Sequence, residues 1–351
     1  MPSRSTRTSR VRRFARATVV LGMATVPLAL SVVGFSGPAP AGAASSTPDL
    51  SGVTINFADQ FKEYQTVFTA TNALKGAPYK VNWSEFVGGP PIIAAETGGS
   101  VDLGDMAETP TIFAQAAGDP VKVVAVTKGA DPTVSPFAIV VPKGSSITKV
   151  SQLRGKTIAV QEGTVEQYVL IRILKKAGMP YGSVTVDNLP VTSASTAVTN
   201  GKVDAAVLSQ PLTALDIQAG KATQLVSAAG YTQDFGYLTA SQSALNNPQK
   251  AAALADFINR FYKAEAALVK NPGLAASTYA STFGVPLSVA AAAAKSVTAV
   301  GTPVTPAIIS YQQTKANTFL QLGLIPKKLN VAKIFDLPYN AKVVKKAGLK
   351  A

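Results

Sequence analysis

The sequence predicts an α/β fold with largely parallel sheets. Strand-like and helix-like segments alternate along the chain from about residue 53, which is the pattern of consecutive β–α–β units. The same alternation restarts near residue 155 and gives a second series. Proline and glycine stand where helices are expected to begin or end, as at Pro110, Gly118 and Gly178.

The first series contains five expected strands and three expected helices. The strands are the apolar runs Val53–Phe57, Val81–Phe86, Val101–Gly104, Val121–Thr127 and Phe137–Val141. The helices are Tyr64–Leu74, Pro90–Thr97 and Pro110–Ala117.

The second series begins with a strand in "GKTIAV", residues 155–160. A helix follows over Val165–Ala177, where apolar residues recur at helical spacing. The chain after Asn246 reads as mostly helical, with Ala251–Val269 as its longest helical stretch. The remaining expected elements of the series are the strand Val184–Asn188, the helix Ser193–Thr199 and a strand in "VDAAVL", residues 203–208.

Two stretches place a short polar loop between a strand and the start of a helix: "VDLGDMAETPTIFAQAAG" (101–118) and "QEGTVEQ" (161–167). In open α/β sheets, ligands bind beyond the carboxyl ends of the strands, where helix starts present backbone N–H groups. Two such ends facing one cleft would hold an oxyanion without a charged side chain. Ordinary helix capping is the alternative, because Thr164 and Gln167 form a capping-box pattern.

The first 43 residues have the features of an export signal. Six arginines lie within the first sixteen positions, an apolar run covers Ala17–Ser36, and Ala41-Gly42-Ala43 is a small-residue cleavage pattern. The alternative is an N-terminal membrane anchor, which the glycines and proline within the apolar run disfavour. The adjacent Arg12 and Arg13 suggest the twin-arginine route.

Removal of residues 1–43 would leave 308 residues, with 27 basic and 19 acidic side chains and a charge of +8. A chain of this length can bury a large core in two domains. No later apolar run is long enough to cross a bilayer. Because the lysines are scattered and the chain carries an export signal, we expect no nucleic-acid partner.

The chain contains no cysteine and no histidine. Disulfides, a thiol nucleophile and a lipid-bearing cysteine after the signal are therefore excluded. The Ser-His-Asp triad and the usual zinc sites are excluded as well. We accordingly expect no catalytic residue, no metal and no cofactor.

A collinear series of motifs resembles one family of transport proteins. The motifs are "WSEFVGGPPIIAAETGGSVDLG", "PTIFAQAAG", "LRGKTIAVQEGT", "ILKKAG" and "GKVDAAVLSQP", and the similarity runs from about Val53 to Pro211. They resemble the aliphatic sulfonate-binding proteins of ABC importers, in the nitrate, sulfonate and taurine group of periplasmic binding proteins. The later stretch "YQQTKANTFLQLGLIPK" resembles the C-terminal helix and tail of this family.

The resemblance implies a two-lobed periplasmic-binding-protein type II fold. Each lobe would be a mostly parallel sheet flanked by helices, with the ligand cleft between the lobes. Residues 44–138 and 238–351 would form the first lobe and residues 139–237 the second, joined by crossovers near Ser135–Val141 and Asp234–Ala240. A hinge motion would close the lobes on the ligand, and a permease would recognise the closed form.

The resemblance also implies ligand-binding residues. Gln60 stands at the family's cleft glutamine, and Gly88 and Gly89 match a loop where backbone comes close to the ligand. Thr164 matches the Ser or Thr that begins the first helix of the second lobe. The other expected positions follow two strands and are Met106, Ala107, Glu108, Thr109, Ser209 and Gln210.

The chain departs from the family at two of these places. The family often has Ser-Thr-Gly-Glu where this chain has Asp105–Glu108, and Trp-Asp-Pro where it has Ser209–Pro211. The pocket therefore loses a hydroxyl and an aromatic wall. Asp105 would lie where an anion sits, or it would face away and cap the helix that follows Thr109. Glu108 would favour the helix dipole, or it would meet a ligand amine such as that of taurine.

These features predict a solute-binding protein that captures a small organic anion, first an alkanesulfonate or taurine, for an ABC permease and its ATPase. Nitrate, an aromatic carboxylate and a thiamine-pyrimidine precursor are alternative ligands. A pyrimidine-precursor synthase would be an enzyme on the same scaffold, which the missing histidine and cysteine disfavour, and a sensor subunit for a membrane kinase is a third reading. We expect a monomer in the periplasm or cell envelope, without a lipid anchor.

Overall fold

The computed structural model describes residues 48–350, so the expected export signal lies outside the described residues. Within them, one sheet has six strands in the order β11-β4-β10-β3-β1-β2. We call it the first sheet. Its strands are β1 (Thr54–Gln60), β2 (Lys80–Phe86), β3 (Leu103–Ala107), β4 (Val121–Gly129), β10 (Phe235–Ser241) and β11 (Ala299–Thr302).

The second sheet has five strands in the order β7-β6-β8-β5-β9. Every one of them lies between β4 and β10 in the chain, so the second sheet is inserted into the first. Its strands are β5 (Phe137–Pro142), β6 (Thr157–Ala159), β7 (Thr185–Asp187), β8 (Ala205–Ser209) and β9 (Ala222–Ser227).

In each sheet, the strand on which the chain arrives from the other sheet is antiparallel to both of its neighbours. The strand β10, on which the chain returns to the first sheet, lies antiparallel between β3 and β4, while β1 is parallel to β2 and β3. The strand β5, on which the chain enters the second sheet, lies antiparallel between β8 and β9, while β6 is parallel to β7 and β8. The predicted α/β fold with two mostly parallel, helix-flanked sheets is confirmed.

Twelve α-helices cover the sheets within the described residues. They are α1 (Glu63–Ala70), α2 (Gly89–Thr97), α3 (Pro110–Ala117), α4 (Val165–Lys176), α5 (Val191–Thr199), α6 (Leu212–Gln218), α7 (Gln242–Asn246), α8 (Pro248–Lys270), α9 (Pro272–Phe283), α10 (Leu287–Val297), α11 (Pro306–Gln321) and α12 (Leu337–Ala347). Measured by length and hydropathy, none of these helices could span a membrane.

Two helices show how the sequence builds each core. In α8, Asn247 caps the start by accepting from the N–H groups of Gln249 and Lys250, and Phe257 and Phe261 are fully buried against the first sheet. In α4, the apolar face anticipated from spacing is buried against the second sheet, with Val165, Val169 and Ile173 at its centre. Each sheet therefore has a core of its own.

The two segments that connect the sheets, 130–136 and 228–234, run side by side. The backbone N–H of Gly129 donates to the carbonyl of Asp234 at 3.1 Å, which ties the start of one segment to the end of the other. Asp234 has a φ of 48°, in the left-handed region, and its carboxylate accepts a hydrogen bond from the Thr232 hydroxyl. Such paired connections are where two lobes of a protein can rotate.

Helix α11 contacts helices that belong to both sheets. Its Phe319 packs on Phe113 of α3, with 5.0 Å between ring centroids, and on Tyr168 of α4, at 5.9 Å. Ile112 and Ala316 belong to the same buried cluster. This cluster fixes one place where the two halves of the molecule meet.

Candidate functional site

A cleft lies where loops of the two sheets face each other. Gln60, Gly88 and Asp105 line it from the first sheet, and Gln161 and Ser209 line it from the second. Its cavity volume is about 170 Å³. A buried water needs at least about 10–15 Å³ on this measure, so the cleft is far larger than a single-water site. It has room for a small organic ligand.

Five helices begin at the cleft. The first residue of each of α1 to α5 lines it: Glu63, Gly89, Pro110, Val165 and Val191. The first N–H groups of a helix have no partner within that helix and carry partial positive charge. In α1, the carboxylate of Asp59 already accepts from the N–H groups of Tyr64 and Gln65, at 3.0 and 2.8 Å. The starts of α2 to α5 have no N-cap side-chain bond, although Pro90, Pro91 and Pro110 have no N–H to offer and the carboxylate of Glu166 accepts from its own backbone N–H.

Gly88 and Gly89 allow the close approach of three loops. Gly88 has a φ of 84°, and a Cβ there would lie 3.0 Å from the side-chain oxygen of Gln161, across the cleft. A Cβ on Gly89 would lie 2.4 Å from Cγ of Pro110 and 3.2 Å from Cβ of Met106. Any side chain at Gly89 would therefore push the start of α2 away from the start of α3.

Eight of the ten expected ligand-binding residues line this cleft, and their role in binding stays a prediction. The side-chain amide of Gln60 donates to the backbone carbonyl of Asp105 at 3.0 Å, which fixes its position. The eight residues are Gln60, Gly88, Gly89, Met106, Ala107, Thr164, Ser209 and Gln210.

Glu108 and Thr109 differ from expectation, because their side chains do not line the cleft. Glu108 is fully buried and forms an ion pair with the equally buried Lys315 of α11. Thr109 accepts a hydrogen bond from the same ammonium group at 3.2 Å. A buried carboxylate needs a compensating cation. Lys315 fills that need, so neither a ligand amine nor the dipole of α3 is its main partner.

Thr164 is at the cleft, but it does not cap α4 as its sequence pattern suggested. Its hydroxyl donates to the carbonyl of Gln161 at 2.6 Å, and no side-chain cap is formed. Gln167 accepts instead from the N–H of Gly163, at 2.9 Å. The capping-box prediction is therefore wrong, and the loop before α4 is held by a different pair of bonds.

Asp105 faces the cleft and does not cap α3, whose N-cap Thr109 has no side-chain cap bond. Burial raises the pKa of the Asp105 carboxyl well above its usual value, and the carboxyl groups of Glu63, Asp59 and Glu265 raise it further. Of the two alternatives for Asp105, the structure excludes the cap and places the residue at the cleft.

Several cleft residues were missed by the sequence analysis. Glu63 comes three residues after the end of β1 at Gln60, and Glu166 lies in the first turn of α4. Both follow strand ends, so the rule that directed attention to the loop 161–167 also covers them. Asp234 lines the cleft from a connecting segment and carried no signal in the sequence.

Burial destabilises the ionised form of the carboxyl groups around Glu63. Burial raises the pKa of Glu63 to about 7 and that of Glu265 to about 8; repulsion from Asp59 adds to the first shift and repulsion from Glu63 adds to the second. Tyr279 donates a hydrogen bond to Glu63, which opposes the shift. Burial also raises the pKa of Asp59 to about 6. These carboxyl groups bind protons more readily in the folded chain than in the unfolded one.

We therefore expect the ligand-free protein to lose stability as pH rises from 5 to 8. A carboxyl group whose pKa is raised by folding stabilises the fold fully below its unfolded pKa, which is near 4.5 for glutamate. This contribution is lost as the pH rises through the folded pKa, about 7 for Glu63 and about 8 for Glu265. The loss in free energy of unfolding should be about 1–3 kcal/mol, measured by urea unfolding at pH 5, 6.5 and 8. Glu265→Gln should flatten the dependence, and equal slopes in both proteins would contradict this assignment.

The sequence of this chain matches a known protein family. The family described as NMT1/THI5 like matches residues 90–274, just over half of the chain. The chain belongs to the NMT1/THI5-like family. The matched range covers α2 to α8, which includes the whole second sheet and most of the cleft.

Relatives of the chain are binding proteins by name. It is similar to a putative aliphatic sulfonates-binding protein of Escherichia coli strain K12, with 29% identity over 72% of this chain and 78% of that protein. It is also similar to the taurine-binding periplasmic protein of the same organism, with 30% identity over 37% of this chain and 39% of that one. Both relatives are named as binding proteins, and the second is named as periplasmic.

Solved structures share the architecture. The alkanesulfonate-binding protein SsuA from Xanthomonas axonopodis pv. citri, bound to MOPS, is 26% identical, with a TM-score of 0.74 over 83% of this chain and 99% of that one. The desulfurization enzyme DszB is 11% identical, with a TM-score of 0.60 over 84% of this chain and 99% of that chain, and so shares the fold alone.

Proposed function

We propose that this protein is an extracytoplasmic solute-binding protein that captures a small sulfonate-type ligand and delivers it to an ABC importer. The observation that carries the proposal is the convergence of helix starts from both sheets on one cleft of ligand size. The names of the relatives support the ligand class. The proposed partners are a permease and its ATPase, with the binding protein acting as a monomer.

In this proposal the backbone holds the oxyanion. The starts of α2 at Gly88 and Gly89 and of α4 at Thr164 offer N–H groups from opposite sides of the cleft. The amides of Gln60 and Gln210 and the hydroxyl of Ser209 complete the polar wall. Met106 and Ala107 supply apolar surface for the carbon chain.

We also propose that the two sheets belong to lobes that open and close. Residues 44–138 and 238–351 form one lobe and residues 139–237 the other, with rotation in the connecting segments. The contact of Gly88 with Gln161 across the cleft supports the interpretation that the described conformation is closed. Opening would separate these two loops and expose the helix starts to solvent.

A binding role without catalysis is part of the same proposal. The chain has no histidine or cysteine to serve as base or nucleophile. Nitrate, an aromatic carboxylate and a thiamine-pyrimidine precursor remain alternative ligands because Met106 and Ser209 depart from the family pattern. Export by the segment 1–43, by the twin-arginine or another route, would place the mature chain in the periplasm or cell envelope.

A thermal-shift screen of residues 44–351 tests the proposal. The compounds are alkanesulfonates of increasing length, taurine, nitrate, sulfate, aromatic carboxylates and pyrimidines. A ligand at a hundredfold excess over its dissociation constant stabilises by about 2.7 kcal/mol, so we expect a sulfonate to raise the melting midpoint by several degrees. A shift with another compound class alone would keep the binding role and reject the sulfonate. No shift with any compound would count against solute binding.

A further inference from the structure

One stripe of side chains on α11 touches a connecting segment and helices of both sheets. Tyr311, Lys315 and Phe319 are spaced four residues apart, so their side chains project from the same face of the helix. The hydroxyl of Tyr311 accepts a hydrogen bond from the N–H of Gln233 at 3.3 Å, and its ring packs on Phe235 at 5.8 Å. This end of the stripe therefore lies against the segment on which the chain returns to the first sheet.

The middle of the stripe lies behind two of the helix starts that line the cleft. The ammonium group of Lys315 pairs with Glu108 and donates to the hydroxyl of Thr109 at 3.2 Å. These two residues directly precede Pro110, the first residue of α3. The same ammonium group lies 4.3 Å from the ring centroid of Tyr168, in the first turn of α4. One buried cation therefore contacts a helix start from each sheet.

The far end of the stripe contacts the same two helices. Phe319 packs on Phe113 of α3 and on Tyr168 of α4. Tyr168 is buried, and its ring thus meets α11 at two points, the ammonium group of Lys315 and the ring of Phe319. Movement of α4 away from α3 would have to break contacts between α11 and one of these helices.

The two contacts of Lys315 differ in strength. Breaking a buried ion pair leaves an uncompensated charge and is strongly destabilising. A cation–π contact is weaker, and its loss leaves no charge without a partner, because Lys315 stays paired with Glu108. When the sheets move apart, the contact with Tyr168 is therefore the one that is lost. The ring contact exists only while the starts of α3 and α4 are close together.

We propose that Lys315 is a positioning residue for solute binding, whose contact with Tyr168 holds the start of α4 against the start of α3 in the closed form. Neither Lys315 nor Tyr168 lines the cleft, so both act through the helix starts beside it. This inference rests on the proposed function, in which the two lobes close on the solute. An interaction made only in the closed form raises the closed fraction, and the apparent affinity for the solute rises with that fraction.

The distance between the lobes is measured with two spin labels, since the chain has no cysteine of its own that would be labelled as well. Ser84→Cys on β2 and Ser151→Cys on the proposed second lobe supply the attachment sites, and both serines are exposed. Double electron–electron resonance gives the fractions of short and long distances, without ligand and with 1-propanesulfonate. Calorimetry measures the affinity for the same sulfonate. Both methods use residues 44–351, which contain the whole described fold.

Two variants of Tyr168 test the ring contact. Tyr168→Leu removes the aromatic face and keeps an apolar side chain, whereas Tyr168→Phe keeps the ring. We expect Tyr168→Leu to increase the long-distance fraction and to weaken 1-propanesulfonate by at least about fivefold. Tyr168→Phe should stay within about twofold of the wild type.

Phe335→Leu is the matched control for the loss of a buried aromatic ring. Phe335 is buried, packs on Tyr237 of β10 at 5.6 Å and lies outside the cleft lining. Phe335→Leu should lower the free energy of unfolding and leave the distance distribution and the affinity unchanged.

Lys315→Met combined with Glu108→Gln separates positioning from stability. It removes the buried cation and its buried partner together, so most of the stability should be kept, as measured by urea unfolding. The closed form still loses the cation over Tyr168. We therefore expect the long-distance fraction to rise and the affinity to fall as in Tyr168→Leu.

The outcomes separate this inference from the proposed function. Equal distance distributions in the wild type, Tyr168→Leu and the double variant would overturn the positioning role, and equal affinities beside them would leave solute binding intact. A loss of affinity in Phe335→Leu as large as in Tyr168→Leu would assign the effect to lost stability and overturn the role as well. A larger long-distance fraction in Tyr168→Leu, with no binding of 1-propanesulfonate to any of the proteins, would support the positioning role and reject that ligand.

Discussion

Replacement of Lys315 by alanine is expected to destabilise the protein by about 3–5 kcal/mol, because it leaves the carboxylate of Glu108 buried without a cation. Both side chains are fully buried. The ammonium group also lies over the rings of Tyr168, at 4.3 Å, and Tyr311, at 5.1 Å, so two cation–π contacts are lost. Urea unfolding of the wild type and the variant measures the difference.

Lys156→Ala is the matched control for this loss. Lys156 pairs with Asp204 at 3.3 Å, but both side chains are more than a third exposed. Exposed pairs contribute less than about 1 kcal/mol. A double variant, Lys315→Met with Glu108→Gln, should recover most of the stability, since no uncompensated charge is left buried. A loss in Lys315→Ala no larger than in Lys156→Ala would contradict the assigned pairing.

Replacement of Gly89 by alanine is expected to lower affinity for the solute at least tenfold. The added Cβ would lie 2.4 Å from Pro110, so the starts of α2 and α3 must move apart. A displacement of about 1 Å at a preorganised site is enough to impair binding. The affinity is measured by calorimetry with whichever compound the thermal-shift screen identifies.

Gly182→Ala is the control for the glycine change. Its added Cβ would meet no atom within 4 Å, and Gly182 lies outside the cleft. It should bind the solute like the wild type. Unchanged affinity in Gly89→Ala would mean that the start of α2 does not contact the ligand.

The sequence predicted the features of the fold that depend on residues close together in the chain. The helix Pro110–Ala117 has the predicted bounds, and the end of β3 and the polar loop after β6 line the cleft. Both results depend on local rules, proline at a helix start and ligands at the carboxyl ends of strands. Local patterns therefore located two walls of the cleft, while the individual ligand-binding positions followed from the family resemblance.

The missed features depend on partners far away in the sequence. Strand β10 was not predicted, and it is held by pairing to β3 and β4, more than a hundred residues earlier. Strands β9 and β11 and helix α6 were missed as well. The partner of Glu108 is 207 residues away, at Lys315. No periodicity or spacing connects such pairs, so the burial of Glu108 could not be foreseen.

The central claim is that a small solute binds between the two sheets and draws them together. Small-angle X-ray scattering of residues 44–351, with and without the compound identified in the screen, tests it most directly. Because closure about the connecting segments brings the lobes together, the radius of gyration should fall when the ligand is added, and Gly89→Ala should reduce this response. Binding confirmed by calorimetry with an unchanged radius of gyration would contradict the claim that the cleft closes on its ligand.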